Sequence, residues 1–267
     1  MAPPHYLVSG GSSGIGRALV AQLLRQGARV TVLDRNRPSR DAVDYVKVDL
    51  ADPESLRGAV RGLRGPYSGL ANVAGVSGAA GADLTLRVNF LGLRALTLGV
   101  VDLLAPGSGI VNVASRAGHQ WPLRLGQHLA LADTASYEAG LEWLGLHPVA
   151  DTEAYPYSKE VLRVWTQLYA AEAAARRLRV NVVNPGPVET PILKEFRQML
   201  GEKRVDDGIQ RAGRAGTPED IAPVIAWLLS ADARWINGAE IAVDGGLQAS
   251  YVRVPKELQP GIPAGTR

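Results

Sequence analysis

The chain has no cysteine among its 267 residues, which excludes a disulfide framework and any thiolate metal site. Histidine is scarce as well. His5, His119, His128 and His147 show neither HxxxH nor HExxH spacing, so no metal site is expected. No apolar run reaches the roughly 20 residues of a membrane span, so no membrane partner is expected. The first strand begins by about Tyr6, which leaves no room for a signal peptide, and a cytoplasmic location follows as the expectation. A charge of one sign is also missing. The 29 basic and 26 acidic residues leave +3, with no Lys/Arg block or aromatic-spaced basic stripe, so no nucleic-acid partner is expected.

What is present is a normal apolar share of 46%, enough for a full core, on a length that suits one large α/β domain. Strand-like runs alternate with helical ones. "HYLVSG", "ARVTVLD", "DYVKVDL", "SGLANVAG", "GIVNVAS", "RVNVVNPG" and "AEIAVDGG" read as seven strands. Between them, Ile15, Leu19, Leu23 and Leu24 recur at helical spacing, and Gly27 can close that helix. Asp52 and Pro53 supply an N-cap and a first-turn proline for a helix to about Leu63. A long helical stretch spans about 84–104, and another begins near Thr152. Thr217, Pro218 and Asp220 open a further helix. Residues 119–150, rich in Leu and Trp, read as one or two short helices. Repeated β-α-β units with continuously apolar strands imply a parallel sheet covered by helices on both faces. One domain is expected over residues 1–254, with an irregular tail at 255–267.

"LVSGGSSGIG" sets a glycine cluster directly after the first strand. Strand, glycine-rich turn and helix together bring backbone N–H groups and a helix N-terminus against a pyrophosphate. Gly10 would make the turn, Gly14 would admit the phosphates, and Gly16 would let the helix pack on the sheet; Ser12, Ser13 and Ile15 complete the loop. Asp34 ends the second strand, 18 residues beyond Gly16. A carboxylate there accepts from both adenosine ribose hydroxyls and repels a 2′-phosphate, which favours NAD over NADP. Arg35 can soften that preference. Tyr155 and Lys159 are four apart in "YPYSK", so they share one face of a helix. A nearby ammonium favours the phenolate, which can then take the proton of an alcohol as hydride leaves its carbon. Pro156 requires that this be the first helical turn, with Asp151 or Thr152 as N-cap.

With these residues in order, the chain resembles the short-chain dehydrogenase/reductase family over nearly all of residues 5–250. "SGGSSGIG" is similar to the family's T-G-x3-G-I-G loop, with Ser9 in the Thr position. "ANVAG" is similar to its N-N-A-G motif, with Val73 where a second Asn is usual, so a side chain that helps tie the sheet is absent. "NFLG", "NVAS" and "NPGPVETP" match further family stretches, as does "NGAEIAVDGG". The resemblance implies a single Rossmann-type, doubly wound α/β sheet with a helical insertion between strand five and the catalytic helix. It implies Tyr155 as acid/base, Lys159 on the nicotinamide ribose, Ser115 on the substrate oxygen and Asn89 holding a proton-relaying water. Asp49 and Leu50 would flank the adenine. Val73, Ala74, Gly75, Pro185, Gly186, Val188 and Thr190 would complete the cofactor site. A homodimer or homotetramer is the family expectation.

Ser115 and Tyr155 stand 40 positions apart, farther than in most of the family. The insertion, about 119–151, resembles the branch that holds bacterial 3α-hydroxysteroid dehydrogenase/carbonyl reductase and sequences labelled coniferyl-alcohol dehydrogenases. It must lie near the substrate mouth or a subunit contact, or simply cover helices. Residues 190–214 are expected to form a cover over the substrate, with Ile192, Leu193, Phe196, Met199 and Leu200 on its apolar side. The expected activity is hydride transfer between NAD(H) and an apolar, ring-bearing alcohol or ketone. The alternatives are an NADP-linked carbonyl reductase and a non-catalytic dinucleotide sensor on the same fold.

Overall fold

The computed structural model describes residues 2–39 and 43–252, so the tail at 255–267 lies outside the described residues. Seven strands form one parallel sheet: β1 (His5–Ser9), β2 (Arg29–Asp34), β3 (Asp44–Lys47), β4 (Tyr67–Asn72), β5 (Leu104–Val113), β6 (Arg179–Pro185) and β7 (Glu240–Val243). Their spatial order is β3-β2-β1-β4-β5-β6-β7. The order reverses between β1 and β4, and ligands bind doubly wound sheets at such a switch point, beyond the carboxyl ends of the strands. This is the Rossmann-type architecture that the sequence implied.

Alternation along the strands divides the core in two. Leu7, Leu70 and Ile110 face one side with Phe90, Leu96 and Leu162. Val8, Ala71 and Val111 face the other with Leu19, Val183 and Ile225. Both sides are dry, which is why these strands read as continuous apolar runs.

Among the described residues there are ten α-helices: α1 (Gly14–Arg25), α2 (Pro53–Gly62), α3 (Ala82–Leu86), α4 (Leu93–Val100), α5 (Leu125–Ala132), α6 (Tyr137–Leu146), α7 (Asp151–Ala174), α8 (Pro191–Leu200), α9 (Glu202–Ala212) and α10 (Pro218–Leu229). Asp52 caps α2 by accepting from the Glu54 N–H at 2.9 Å, and Gly27 follows α1 at φ +79°. The long helical stretch expected near 84–104 runs without a gap over Ala82–Leu103, and within it α3 passes into a π-helical segment, Arg87–Gly92, before α4. By length and composition the stretch Ala82–Leu103 is apolar enough to cross a membrane, which the sequence scan had not found, and most of it is buried inside the fold.

Helix α7 corrects a second expectation. It begins at Asp151, with Ala150 in the cap position at φ −64° and ψ 146°. Asp151 does not cap its own helix, because its Oδ1 accepts from the distant Ala82 N–H at 2.6 Å. Pro156 therefore lies in the second turn, not the first.

The insertion forms a 3-10 segment, Arg116–Arg124, followed by α5 and α6. It packs on α7 and on the π segment. Arg94 on α4 is buried and donates to the carbonyls of Leu131 (3.2 Å), Ala132 (2.9 Å) and Ser136 (2.8 Å) and to Thr134 Oγ1 (2.9 Å). The guanidinium thus gathers the free carbonyls at the end of α5.

Candidate active site

The glycine loop follows β1 at the switch point. A Cβ on Gly16 would stand 2.0 Å from the Gly10 carbonyl oxygen, so only glycine lets α1 pack this closely. Gly10 has φ +71°, and a Cβ there would lie 2.6 Å from Ala74 N and Cα. Ala74 thus seals the loop from below. Gly14 has φ +47° and faces Thr190. Ser13 adopts an extended conformation before α1 and makes no side-chain cap, which leaves the first N–H groups of that helix free for an anion. The cradle fits a dinucleotide.

The Asp34 carboxylate sits at the end of β2. It accepts from the Ser12 N–H at 3.1 Å and from the Asn36 N–H at 3.0 Å. Arg35, Asn36, Lys47, Asp49 and Ser55 line a depression beside it. Asp49 also accepts from the Ala51 N–H at 2.9 Å. Leu50 departs from the expectation in one respect: its side chain belongs to the core, with only 5% exposed.

Ser9, in the Thr position of the family loop, accepts from the N–H groups of Val73 (3.1 Å) and Ala74 (3.3 Å) and so holds the end of β4 against β1. The tie lost with Val73 is made one residue earlier. Asn72 Nδ2 donates to Asn112 Oδ1 (2.9 Å) and Thr97 Oγ1 (2.8 Å), and Asn112 Nδ2 donates to Thr166 Oγ1 (2.9 Å).

Ser115, Tyr155 and Lys159 line one crevice together with Ile15, Val73, Gly75, Pro185, Gly186, Val188 and Thr190. Ser115 follows β5, and Tyr155 and Lys159 come from α7. Lys159 is buried, and its Nζ donates to the Val113 carbonyl at 3.0 Å. Burial holds this ammonium down, to about 8. Burial pushes the Tyr155 phenol up, to about 12, and the nearby Ser115 hydroxyl partly offsets that rise. Lys159 Nζ stands 5.7 Å from the centre of the Tyr155 ring.

Asn89 lies in the π segment and is fully buried. Its Oδ1 accepts from the Val76 N–H at 2.8 Å; its Nδ2 donates to the Val76 carbonyl at 2.9 Å and to Ser158 Oγ at 3.1 Å. Ser158 Oγ in turn donates to the Tyr155 carbonyl at 2.8 Å. Asn89 thus reaches Tyr155 through Ser158, a residue that sequence reasoning did not single out.

The outer wall is apolar: Val76, Ile192, Leu193 and Phe196. Helix α8 rests on the segment after β4, where Ser77 Oγ donates to Glu195 Oε2. Neither Ser77 nor Glu195 carried a sequence signal, since their partners are far apart along the chain. Among the described residues, none of 119–151 lines the crevice. Within this chain the insertion packs on α7 and on the π segment.

Comparisons with known proteins agree with this geometry. The family model described as short chain dehydrogenase matches residues 4–125, and the one described as Enoyl-(Acyl carrier protein) reductase matches residues 143–248. The stretch between them lies within the insertion. The chain is 43% identical to coniferyl-alcohol dehydrogenase of Pseudomonas sp. (strain HR199 / DSM 7063), covering 92% of this chain and 97% of that one. It is 29% identical to cyclohexanol dehydrogenase of Acinetobacter sp. (strain SE19), covering 90% and 92%. Among solved structures, the 3-alpha-hydroxysteroid dehydrogenase from Pseudomonas sp. B-0831, complexed with NADH, superposes with a TM-score of 0.80 at 28% identity, covering 93% of this chain and all (100%) of that one.

Proposed function

The chain belongs to the short-chain dehydrogenase/reductase family, and on that premise we propose that it interconverts an apolar, ring-bearing alcohol and its carbonyl form with NAD(H). The observation that carries this reading is the crevice in which Ser115, Tyr155 and Lys159 face the apolar wall of Val76, Ile192, Leu193 and Phe196. The relatives named for coniferyl alcohol, cyclohexanol and a hydroxysteroid all act on ring-bearing alcohols, which supports the substrate class.

The bound dinucleotide supplies the hydride acceptor or donor. Ser115 holds the substrate oxygen, and Tyr155 takes the hydroxyl proton in oxidation or returns it in reduction. With burial pushing the phenol up to about 12, its ionisation needs positive charge close by, and Lys159 is placed to give it. In this reading Lys159 also holds the nicotinamide ribose. The side chain of Asn89 is taken up by Val76 and Ser158 and in this reading holds the Tyr155 turn in place, while the residue also holds the water that relays the proton. Residues 190–214, with α8 and α9, act as the cover that excludes water.

Asp34 supports NAD over NADP. Arg35 and Lys47 border the same depression, and they support the NADP-linked alternative. A homodimer or homotetramer remains part of the proposal. The test is NADH absorbance with a panel of alcohols. Turnover of ring-bearing alcohols with NAD supports the proposal. Turnover only with NADP favours the carbonyl reductase, and dinucleotide binding without turnover identifies a sensor.

A further inference from the structure

Helix α7 lacks a backbone hydrogen bond in the turn that carries Tyr155. Pro156 has no N–H to offer the Thr152 carbonyl, and its ring crowds that oxygen. Such a gap lets a helix bend. One side chain spans it. Arg124, at the end of the 3-10 segment of the insertion, donates from NH1 to Glu153 Oε2 at 3.1 Å. Its Nε and NH2 donate to Glu160 Oε2 and Oε1, both at 2.9 Å. Glu153 and Glu160 are two helical turns apart, and Tyr155 and Pro156 lie between them.

The far end of this bridge is anchored deeply. Glu160 is fully buried and shares a hydrogen bond with the fully buried His128 Nε2 at 2.9 Å. Burial raises the Glu160 carboxyl, but His128 and Arg124 outweigh it and hold the group below the usual range. The Arg124 guanidinium also lies over the Tyr157 ring, 5.4 Å from its centre, and His128 meets that ring edge-on at 4.7 Å. The Tyr157 hydroxyl and His128 Nδ1 have no protein partner. A buried ionic cluster with orphaned atoms adds little net stability over an apolar filling of the same shape.

We propose that Arg124 is a positioning residue, a staple from the insertion that spans the Pro156 interruption and keeps the Tyr155 hydroxyl beside Ser115. The inference rests on the reading of Tyr155 as the proton-transfer group. It gives the insertion a part in the reaction although it does not line the crevice.

The test uses Arg124→Gln, Arg124→Lys, Glu153→Ala and Glu153→Gln in the full chain, with steady-state kinetics and amide hydrogen exchange. Arg124→Gln is expected to lower kcat on the order of 100-fold, the scale of a misplaced reacting group, while the KM for the dinucleotide hardly moves. Arg124→Lys restores part of the loss. Glu153→Ala removes only the exposed arm and leaves the buried pair intact, so it reports even if Arg124→Gln fails to fold; its kcat falls several-fold, and Glu153→Gln, which keeps an acceptor oxygen, loses less. Exchange over residues 153–160 rises in Glu153→Ala while the sheet stays protected. Unchanged exchange over 153–160, or a rise spread over the whole chain, overturns the staple. If the wild-type protein turns over no alcohol, the functional reading fails, and exchange still decides the staple.

Discussion

The ring of Phe196 meets that of Tyr155 edge-on, with centroids 4.7 Å apart and planes inclined at 70°. Phe196 comes from α8, which is held to the segment after β4 by Glu195 and Ser77. In the proposed reading, a flat substrate ring that reaches the Tyr155 hydroxyl packs against Phe196 as well. An aromatic pair of this kind contributes about 1 kcal/mol beyond the area it buries.

Phe196→Ala is accordingly expected to lower kcat/KM for ring-bearing alcohols by about fivefold, the rate equivalent of that pair energy. A straight-chain alcohol of similar size should lose much less. Equal losses for both would remove Phe196 from the recognition of rings.

The buried Lys159 makes stability depend on pH with a definite sign. Its ammonium is held at about 8 in the folded protein, below the ordinary 10.5. Between those values the unfolded chain binds more protons than the folded one, so stability rises with pH across that window. Below about pH 8 the buried charge costs roughly 3 kcal/mol. Lys159→Met removes this cost but leaves the Val113 carbonyl unpaired, which takes back about 1 kcal/mol. The variant should be the more stable protein in denaturant titrations at pH 7, and its lead should shrink towards pH 10.5. A lead that stays constant over the window would contradict the assignment.

Asp34 accepts two backbone N–H groups that shape the loop, and in the proposed reading its carboxylate meets the adenosine ribose. Asp34→Ala should reduce the ratio of kcat/KM for NAD over NADP by roughly tenfold, the scale of a hydrogen bond to a charged group. Comparison of the two dinucleotides measures it, and an unchanged ratio would deny Asp34 its part in selectivity.

The sheet was legible because its central strands are apolar on both faces and the strands are followed by glycine, acidic or turn residues. Gly10, Gly14 and Gly16 were legible because backbone approach admits no Cβ there. Local spacing also told that Tyr155 and Lys159 share a face. What escaped it depends on partners far along the chain. Asp151 looks like a helix cap, yet Ala82 claims its carboxylate. Arg94 looks like a surface residue of an amphipathic helix, yet it is buried under the turn after α5. The π segment around Asn89 gives no spacing signature, because five consecutive residues, Val88 to Gly92, are buried and leave no alternation to read. The Trp and Leu content of the insertion spoke for an apolar surface, but periodicity could not say which surface it covers.

The central claim is that Tyr155 moves the substrate proton in a crevice that holds a nicotinamide dinucleotide. The most direct measurement is NADH formation from a ring-bearing alcohol by the wild-type protein and by Tyr155→Phe, with dinucleotide affinity measured on both. The account predicts that the variant binds the dinucleotide about as well as the wild type and forms no NADH above background. A variant that turns over the alcohol at a rate near the wild type's would contradict it.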